Sequence, residues 1–160
     1  MAAVLRGLPP IIDTAATTLI LGSFPSVSSL AGRQYYGHPQ NQFWRLLGAL
    51  LGAPLAEMDY PDRKAALGRA GIAVWDVYAS CERSGSLDSA IRGARENDFR
   101  SLSKLAPALQ RICFNGRTAA RFEPRLAELG YATSVLPSSS PAYTLAFEKK
   151  LEAWRAVLGT

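Results

Sequence analysis

The sequence predicts an α/β fold, a three-layer α/β/α sandwich with a central, mostly parallel sheet of about four strands. Three observations lead to this prediction. Four short apolar runs have the length of buried strands, each run ends at a turn-forming or polar residue, and helical patterns lie between them. Strands that alternate with helices form βαβ units, whose strands are parallel in one sheet. The 160 residues suffice for one domain, which we expect to span residues 1–160.

The predicted strands cover residues 18–21, 72–75, 112–114 and 133–136. The residues that end them are Gly22, Asp76, Asn115 with Gly116, and Pro137. Because functional loops gather at the carboxyl ends of parallel strands, we expect four segments to share one rim of the sheet. These segments are residues 22–41, 76–88, 115–117 and 136–143.

A helix is predicted from Phe43 onward, because apolar residues recur there at i, i+3, i+4, i+7 and i+8. The apolar residues of this face are Phe43, Leu46, Leu47, Leu50 and Leu51. Further helices are expected over residues 62–70, 98–109, 117–129 and 143–158, and Pro124 interrupts the third of them. Each expected helix lies between two strands or after the last one, as βαβ connections require.

The composition favours a folded, basic, cytoplasmic protein. Hydrophobic residues make up 48% of the chain, which supports a full core. No apolar run approaches the roughly 18–20 residues that cross a bilayer, and the N-terminus lacks the features of a signal peptide. We therefore expect no membrane contact. The net charge of +5 indicates polyanionic partners, although the scattered basic residues also suit an ordinary solvated surface.

The sequence gives no support for metal or cofactor chemistry. Cys81 and Cys113 are 32 residues apart and have no CxxC partner, which excludes the usual zinc and iron–sulfur spacings. Cys113 lies in an apolar run and is interpreted as a small core residue. His38 is the only histidine, so a site built from several histidines is excluded. We expect no metal, no iron–sulfur cluster and no other cofactor.

The segment from residue 22 to residue 44 carries the side chains best suited to binding. Gly22 lets a ligand approach the backbone closely because it has no Cβ atom. Tyr35 and Tyr36 offer rings that stack on a base, although core packing explains Tyr36 equally well. Asn41 offers an amide that donates and accepts hydrogen bonds, and its alternative role is a helix cap. This combination suits a flat heterocycle better than a phosphate.

The other rim residues have structural explanations beside functional ones. His38 lies in a tight turn and suits a structural hydrogen bond better than a catalytic base. Asn115 faces the rim where a strand ends, but it also suits an ordinary turn. Residues 137–141 form a short proline-bounded loop that can press into a duplex and contact phosphates. Asp76 either caps the following turn or assists chemistry. From the residues alone no reaction follows, since neither a nucleophilic triad nor a phosphate-binding loop is present.

The chain resembles the uracil-DNA glycosylase superfamily in four segments, GSFPS, YYGHPQNQFW, NGRTAA and LPSSSPAY, in this order. Residues 22–44 carry the most specific likeness, because one branch of the superfamily has a GxNPG loop followed by an aromatic residue and an HPxNxFW segment. Within the superfamily the chain is most similar to the hypoxanthine-DNA glycosylase group, also called family 6 or DNA-deoxyinosine glycosylases. The segment VWDVYASCERSGSLDSAIR also resembles that group. The likeness extends from about Leu19 to Trp154.

Two positions depart from the wider superfamily. Phe24 replaces the polar catalytic residue of the first motif, and Leu136 replaces the His or Asn that opens the last motif. The hypoxanthine group resembles this chain at both positions and takes its catalytic amide from the HPxN segment. The resemblance therefore implies that Asn41 is the catalytic residue and that Tyr36 stacks on the extruded base.

The resemblance also implies which residues contact the substrate and the duplex. The implied substrate-binding residues are Gly22, Ser23, Phe24, Tyr36, His38 and Asn115. The implied DNA-binding residues are Pro137, Ser138, Ser139 and Ser140, in a wedging loop from Leu136 to Pro141. The expected partner is DNA containing deaminated bases, bound by a monomer associated with the nucleoid.

The implied function is a monofunctional DNA glycosylase of base-excision repair. Such an enzyme flips a deaminated base out of the helix and hydrolyses its N-glycosidic bond, with hypoxanthine as the first choice and uracil as the second. A DNA-damage-binding homologue without turnover is the alternative, because both usual catalytic positions are apolar here. A nucleoside-binding α/β protein is a further alternative, reached without the resemblance.

Overall fold

The structure is a computed structural model and describes residues 3–159. In chain order its strands are β1 (Leu5–Arg6), β2 (Thr18–Gly22), β3 (Ile72–Asp76), β4 (Tyr78–Glu82), β5 (Arg92–Glu96), β6 (Arg111–Asn115) and β7 (Ala132–Leu136). Its helices are α1 (Val27–Gly32), α2 (Phe43–Leu51), α3 (Tyr60–Arg69), α4 (Leu102–Leu105), α5 (Arg117–Ala120), α6 (Glu123–Glu128) and α7 (Phe147–Leu158). Short 3₁₀ turns cover Leu55–Glu57, Asp88–Ala90 and Phe99–Ser101.

The central sheet has four parallel strands in the order β3-β2-β6-β7. This arrangement confirms the predicted α/β fold and the predicted number of strands. The register pairs Gly22 with Asp76 and Asn115 with Leu136. Because the strands are parallel, the residues that end them lie at one edge of the sheet, where the candidate site is found.

Helices cover both faces of the central sheet, which produces the three layers. Successive residues of a strand point to opposite faces, so Leu19 and Leu21 join one apolar cluster and Ile20 joins the other. The first cluster contains buried residues of α4, α5 and α6, and the second contains those of α2, α3 and α7. Cys113 is buried in the second cluster, as predicted, and burial raises the pKa of its thiol to about 11.

A second sheet was not predicted. Strands β1, β4 and β5 form a three-stranded antiparallel sheet, and β4 lies inside the segment expected to be a rim loop. The sequence gives little sign of β5, because its residues RGARE are all exposed and lack the apolar alternation of a half-buried strand. The loop that joins β4 to β5 contains the turn Asp88–Ala90 and reaches the candidate site.

Several predicted helices are shorter than their patterns suggested. The helix expected over residues 98–109 consists of a 3₁₀ turn and α4, and it ends before Pro107, which disfavours helical backbone at the preceding residue. The expected interruption at Pro124 divides residues 117–129 into α5 and α6, with the proline in the first turn of α6. The loop after β2 contains α1, which was not predicted. Among the described residues, no helix has the length and apolar character to cross a membrane.

Candidate active site

A cavity of about 350 Å³ lies at the carboxyl ends of β2, β3 and β6. This volume is near the lower limit for small-molecule sites, roughly 300–1,000 Å³, and suits a single flat ring system. The predicted site residues that line it are Gly22, Ser23, Phe24, Tyr36, Asn41, Asn115, Ser138, Ser139 and Ser140. Segments far apart in the chain therefore meet at one rim, as the parallel topology predicts.

The Asn41 side chain is held by the start of α2. Its Oδ1 accepts a hydrogen bond from the backbone N–H of Phe43 at 3.0 Å. A backbone N–H can only donate, so the oxygen end of the amide is assigned to the helix and the Nδ2 end is left over. Within residues 3–159, Oδ1 is the only end of this half-buried amide with a hydrogen-bond partner. Asn41 lies one residue before Gln42, the N-cap of α2, and satisfies the N–H of the first helical residue. It also retains an unused donor at the cavity wall.

Tyr36 has an unusual backbone conformation that places its ring at the cavity. Its φ is 54°, in the left-handed region that residues other than glycine rarely adopt. The ring stacks on Phe43 with centroids 3.9 Å apart and planes 18° from parallel. Phe43 covers one face of the ring, and Tyr36 also lines the cavity. The strained backbone is consistent with a functional requirement for this orientation.

Tyr35, by contrast, has its polar atoms committed to the fold. Its hydroxyl donates toward the carbonyl oxygens of Leu8 and Pro9, each at 3.0 Å. Its backbone carbonyl accepts from Nε1 of Trp44 at 2.9 Å. The side chain is almost completely buried. Tyr35 therefore anchors the segment that presents Tyr36, although its atoms also border the cavity.

Asn115 and Ser139 form a buried clamp between β6 and the loop after β7. The Asn115 Nδ2 donates to the Ser139 Oγ at 2.9 Å, and the Ser139 backbone N–H donates to the Asn115 Oδ1 at 2.9 Å. The Ser139 carbonyl oxygen accepts from the backbone N–H of Gln42 at 3.0 Å. The clamp therefore extends from β6 to the residue beside Asn41. With an exposed fraction of 1%, Ser139 faces inward and supports the loop.

Asp76 is the site residue whose importance the sequence left open. It ends β3, is 5% exposed and lines the cavity. A Cβ atom placed on Gly22 would lie 2.6 Å from the Asp76 Oδ1 and 2.7 Å from the Tyr36 hydroxyl. A side chain at position 22 would therefore displace one or both of these groups. Within the described residues, neither the Asp76 Oδ2 nor the Tyr36 hydroxyl has a hydrogen-bond partner.

Burial and nearby charge change the titration of both groups. Burial, with the neighbouring Asp88, raises the pKa of Asp76 to about 7, and Arg83 opposes the rise. Burial and the Asp76 carboxyl raise the pKa of the Tyr36 phenol far above its usual range, whereas the nearby Asn115 amide lowers it. The Asn115 Nδ2 donates one N–H to Ser139, and its second N–H lies on the side that favours the ionised phenol. The phenol remains neutral at any physiological pH.

The loop between β4 and β5 is tied to the loop after β2. The Ser23 hydroxyl donates to the Asp88 Oδ1 at 2.7 Å. The Arg83 Nη2 donates to the Pro25 carbonyl oxygen at 2.5 Å, and its guanidinium lies 5.2 Å from the centroid of the Phe24 ring. These contacts close one side of the cavity. No pattern in the sequence predicts the contact between these two loops, because the contact depends on the unpredicted sheet.

Phe24 and Leu136, the two residues that depart from the wider superfamily, are both buried. Phe24 is buried beneath the Arg83 guanidinium and lines the cavity. Leu136 is 1% exposed and belongs to the apolar cluster beneath α2 and α7. Neither side chain has a polar atom to supply, so any catalytic group must come from the other lining residues.

His38 and Pro137 do not line the cavity. The His38 Nδ1 accepts a hydrogen bond from the backbone N–H of Gln40 at 3.1 Å. The His38 carbonyl oxygen accepts one from the backbone N–H of Asn41 at 2.9 Å. The Pro137 carbonyl oxygen accepts from Nε1 of Trp154 at 2.8 Å. Both residues hold the backbone beside the site, and a contact between His38 and a base stays a prediction.

Two exposed apolar side chains at the cavity mouth were missed by the sequence reasoning. Leu87, on the loop after β4, is 59% exposed, and Tyr143, beyond the serine loop, is 46% exposed. Both line the cavity. Large apolar groups that remain exposed on a folded protein mark contact surfaces. A single sequence gives no signal for this exposure, because apolar residues in loops are commonly buried.

Comparisons with known proteins agree with this geometry. The profile of the uracil DNA glycosylase superfamily matches residues 9–158. A protein of Methanosarcina acetivorans named hypoxanthine DNA glycosylase is 44% identical over 152 residues, which cover 95% of this chain and 96% of the relative. A protein of the same name from Methanosarcina barkeri is 41% identical over 149 residues, covering 93% of this chain and 94% of the relative.

A solved structure has the same fold. The solution NMR structure of a candidate uracil DNA glycosylase from Methanosarcina acetivorans superposes with a TM-score of 0.89 at 43% sequence identity. The superposition covers 98% of this chain and 97% of that one. The profile match, the identity to both relatives and this superposition extend over nearly the whole described chain. The chain belongs to the uracil-DNA glycosylase superfamily.

Proposed function

We propose that this protein is a monofunctional DNA glycosylase that removes a deaminated base from DNA in base-excision repair. Hypoxanthine is the first-choice base and uracil the second, in line with the names of the two relatives. The observation that carries the proposal is the unused amide donor of Asn41 and the Tyr36 ring on the wall of one cavity that is large enough to hold a base. A ring and a donor on one small cavity are what an extruded base requires.

Recognition begins with extrusion of the damaged nucleotide, which costs a few kcal/mol of stacking and pairing energy. The Tyr36 face opposite Phe43 stacks on the base, a contact worth roughly 1–3 kcal/mol. Ser23 and Phe24 border the same space. The strained backbone at Tyr36 and the clamp beside Asn41 hold both groups in place before the substrate arrives, so little ordering is required during the reaction.

Bond cleavage places negative charge on the departing base and positive charge on the sugar. The Asn41 Nδ2 donates to the base as this charge develops, and water completes the hydrolysis at the sugar carbon. A strand-cleaving lyase requires an amine that forms a Schiff base with the sugar. No lysine lines the cavity among residues 3–159. The proposed product is therefore an intact strand with an abasic site.

The loop after β7 faces the duplex in this proposal. Pro137, Ser138 and Ser140 contact the backbone of the DNA, while the buried Ser139 maintains the shape of the loop. Tyr143 and Leu87 fill the space that the flipped base vacates, because both are exposed at the cavity mouth. The protein acts as a single-domain monomer on DNA in the cytoplasm.

The test is an oligonucleotide panel that contains inosine, uracil, xanthine or a thymine mismatch, followed by treatment with alkali. We expect strand breaks at inosine that appear only after alkali, since the abasic product breaks there. Asn41→Asp serves as the matched control, because it retains an acceptor for the Phe43 N–H and removes the donor. Salt-sensitive binding without breaks would identify a damage sensor instead. Affinity for free nucleosides alone would identify a small-molecule binding protein.

A further inference from the structure

We propose that Lys150 of α7 is a positioning residue that orients the Tyr143 ring, so that the ring enters the duplex when a base is flipped out. The inference deepens the proposed function and rests on it, since it requires a damaged duplex on the protein. Lys150 does not line the cavity and lies beneath the loop after β7. It acts on base extrusion through Tyr143, whereas Asn41 acts on the bond that breaks.

One face of α7 holds the loop after β7 at two points. The Lys150 Nζ donates to the Ser140 carbonyl oxygen at 3.2 Å, and the Trp154 Nε1 donates to the Pro137 carbonyl oxygen at 2.8 Å. Lys150 and Trp154 are four residues apart and therefore lie on the same side of the helix. The two donors fix both ends of the segment that the proposed function places against DNA.

The Ser140 carbonyl oxygen is the point where Lys150 meets the turn that carries Tyr143. This oxygen also accepts from the backbone N–H of Tyr143 at 3.1 Å, which closes a β-turn. Pro141 occupies the second position of the turn, where its fixed φ is favourable. The Ser140 hydroxyl accepts from the backbone N–H of Ala142 at 3.1 Å. Because the turn is constrained in this way, a contact at its carbonyl is transmitted to Tyr143.

The ammonium group of Lys150 also lies against the Tyr143 ring. Its Nζ is 5.4 Å from the ring centroid, within the distance of a cation–π contact. Tyr143 is 46% exposed at the cavity mouth, whereas Lys150 is 1% exposed. A buried charge thus supports an exposed ring. This support holds the ring in one orientation before DNA binds, which lowers the cost of ordering it in the complex.

The position of Lys150 is unfavourable for the fold itself. It is the fourth residue of α7, and a positive charge near a helix N-terminus is destabilising. Within residues 3–159 it forms no ion pair, and burial lowers the pKa of its ammonium group. An unbranched apolar side chain would pack there at a lower cost. Stability therefore does not account for a lysine at this position, whereas the contact with the Tyr143 turn does.

The first measurement is the single-turnover rate of cleavage at inosine in a duplex and in a single strand, where no stacked partner has to be displaced. Lys150→Met retains the unbranched stem and removes the ammonium group. Its rate on the duplex should fall by about tenfold, and its rate on the single strand should stay within about twofold of wild type. Equal losses on both substrates would overturn the inference, because they would show a general effect on the active site or the fold.

Lys149→Met is the matched control. It changes the net charge by the same amount on the exposed neighbour of Lys150 and should keep both wild-type rates. Thermal unfolding supplies the folding control, because removal of an unpaired buried charge should leave the Tm of Lys150→Met unchanged or raise it. A duplex-specific loss of rate in a variant that is at least as stable as wild type would separate positioning from support of the fold.

A double-mutant cycle tests whether Lys150 acts through Tyr143. Tyr143→Ala should also lose cleavage on the duplex and keep its rate on the single strand. The double variant with Lys150→Met should be no slower than Tyr143→Ala alone, because the lysine then has no ring to orient. Losses that multiply would overturn the inference.

The salt dependence of binding to undamaged duplex distinguishes positioning from a direct phosphate contact. The slope of log affinity against log salt concentration should be the same for wild type and Lys150→Met. A slope that is smaller by about 0.9 in the variant would identify a lost phosphate contact and overturn the inference.

A fluorescent base separates this inference from the proposed function. 2-Aminopurine beside a non-cleavable 2′-fluoro deoxyinosine brightens when its neighbour leaves the stack. At saturating protein, wild type should raise this fluorescence more than Lys150→Met. Such a difference without any cleavage would support the positioning role and contradict the glycosylase. Cleavage with equal fluorescence for both proteins would contradict the positioning role alone.

Discussion

Two asparagines of the cavity, Asn41 and Asn115, differ in how completely the protein uses them. Both amide ends of Asn115 are hydrogen-bonded to Ser139, whereas Asn41 uses only its oxygen within the described residues. Asn115 is also more deeply buried. Asn115 has one of its two Nδ2 N–H groups committed to Ser139, whereas within the described residues Asn41 has both Nδ2 N–H groups without a partner. The comparison assigns the chemistry to Asn41 and the support of the site to Asn115.

Asn41→Ala should have the largest effect on catalysis. Removing a preorganised donor to developing negative charge typically costs about 10²–10³ in rate. We expect a loss of this size in the single-turnover cleavage of an inosine-containing oligonucleotide, with smaller changes in binding. The loss of the hydrogen bond to the Phe43 N–H should lower the free energy of unfolding by about 1 kcal/mol.

Asn41→Asp separates the two roles of this side chain. The carboxylate still accepts from the Phe43 N–H, and a negative charge near a helix N-terminus is favourable. The Tm should therefore match or exceed that of wild type, while cleavage falls as far as in Asn41→Ala. An active Asn41→Asp enzyme would contradict the assignment, because it would show that the hydrogen bond to the Phe43 N–H alone matters.

Asn115→Ala should have an intermediate effect on the rate and a larger effect on stability. It leaves the buried Ser139 N–H and hydroxyl without their partner, which costs about 1–3 kcal/mol in the free energy of unfolding. We expect a rate loss of about tenfold, because the clamp reaches Gln42 beside Asn41. Denaturant unfolding and single-turnover kinetics check the two parts. A full loss of cleavage in a stably folded variant would indicate direct contact with the base.

Ser139→Ala should reduce the rate by about threefold, since the backbone bond from the Ser139 N–H to Asn115 remains. The matched test is a double-mutant cycle with Asn115→Ala, measured by unfolding in denaturant. The two residues contact each other, so the double variant should lose less free energy of unfolding than the two single losses together. Additive losses would show that the clamp is not a unit.

The sequence predicted the place of the site better than its internal contacts. Apolar runs that end at Gly22, Asp76 and Asn115 were enough to predict strand ends at one rim. The direction of the Asn41 amide follows from a local hydrogen bond to the Phe43 N–H, two residues along the chain. The burial of Ser139 depends instead on its hydrogen bonds to Asn115, 24 residues earlier, which no local pattern encodes. Asp76 was left undecided for the same reason. Among the described residues it forms no ion pair, because the Arg83 guanidinium donates instead to the carbonyl oxygens of Gly85 and Pro25.

His38→Gln should have the smallest effect. The His38 Nδ1 accepts from the Gln40 N–H inside the turn before α2, and the ring does not line the cavity. We expect a single-turnover rate within about twofold of wild type and a loss of about 0.5–1.5 kcal/mol in unfolding free energy for one hydrogen bond. A rate loss as large as that of Asn41→Ala would show that the ring moves to the base when DNA binds. The contrast between a free donor and a satisfied group would then fail to identify the residues that act on the substrate.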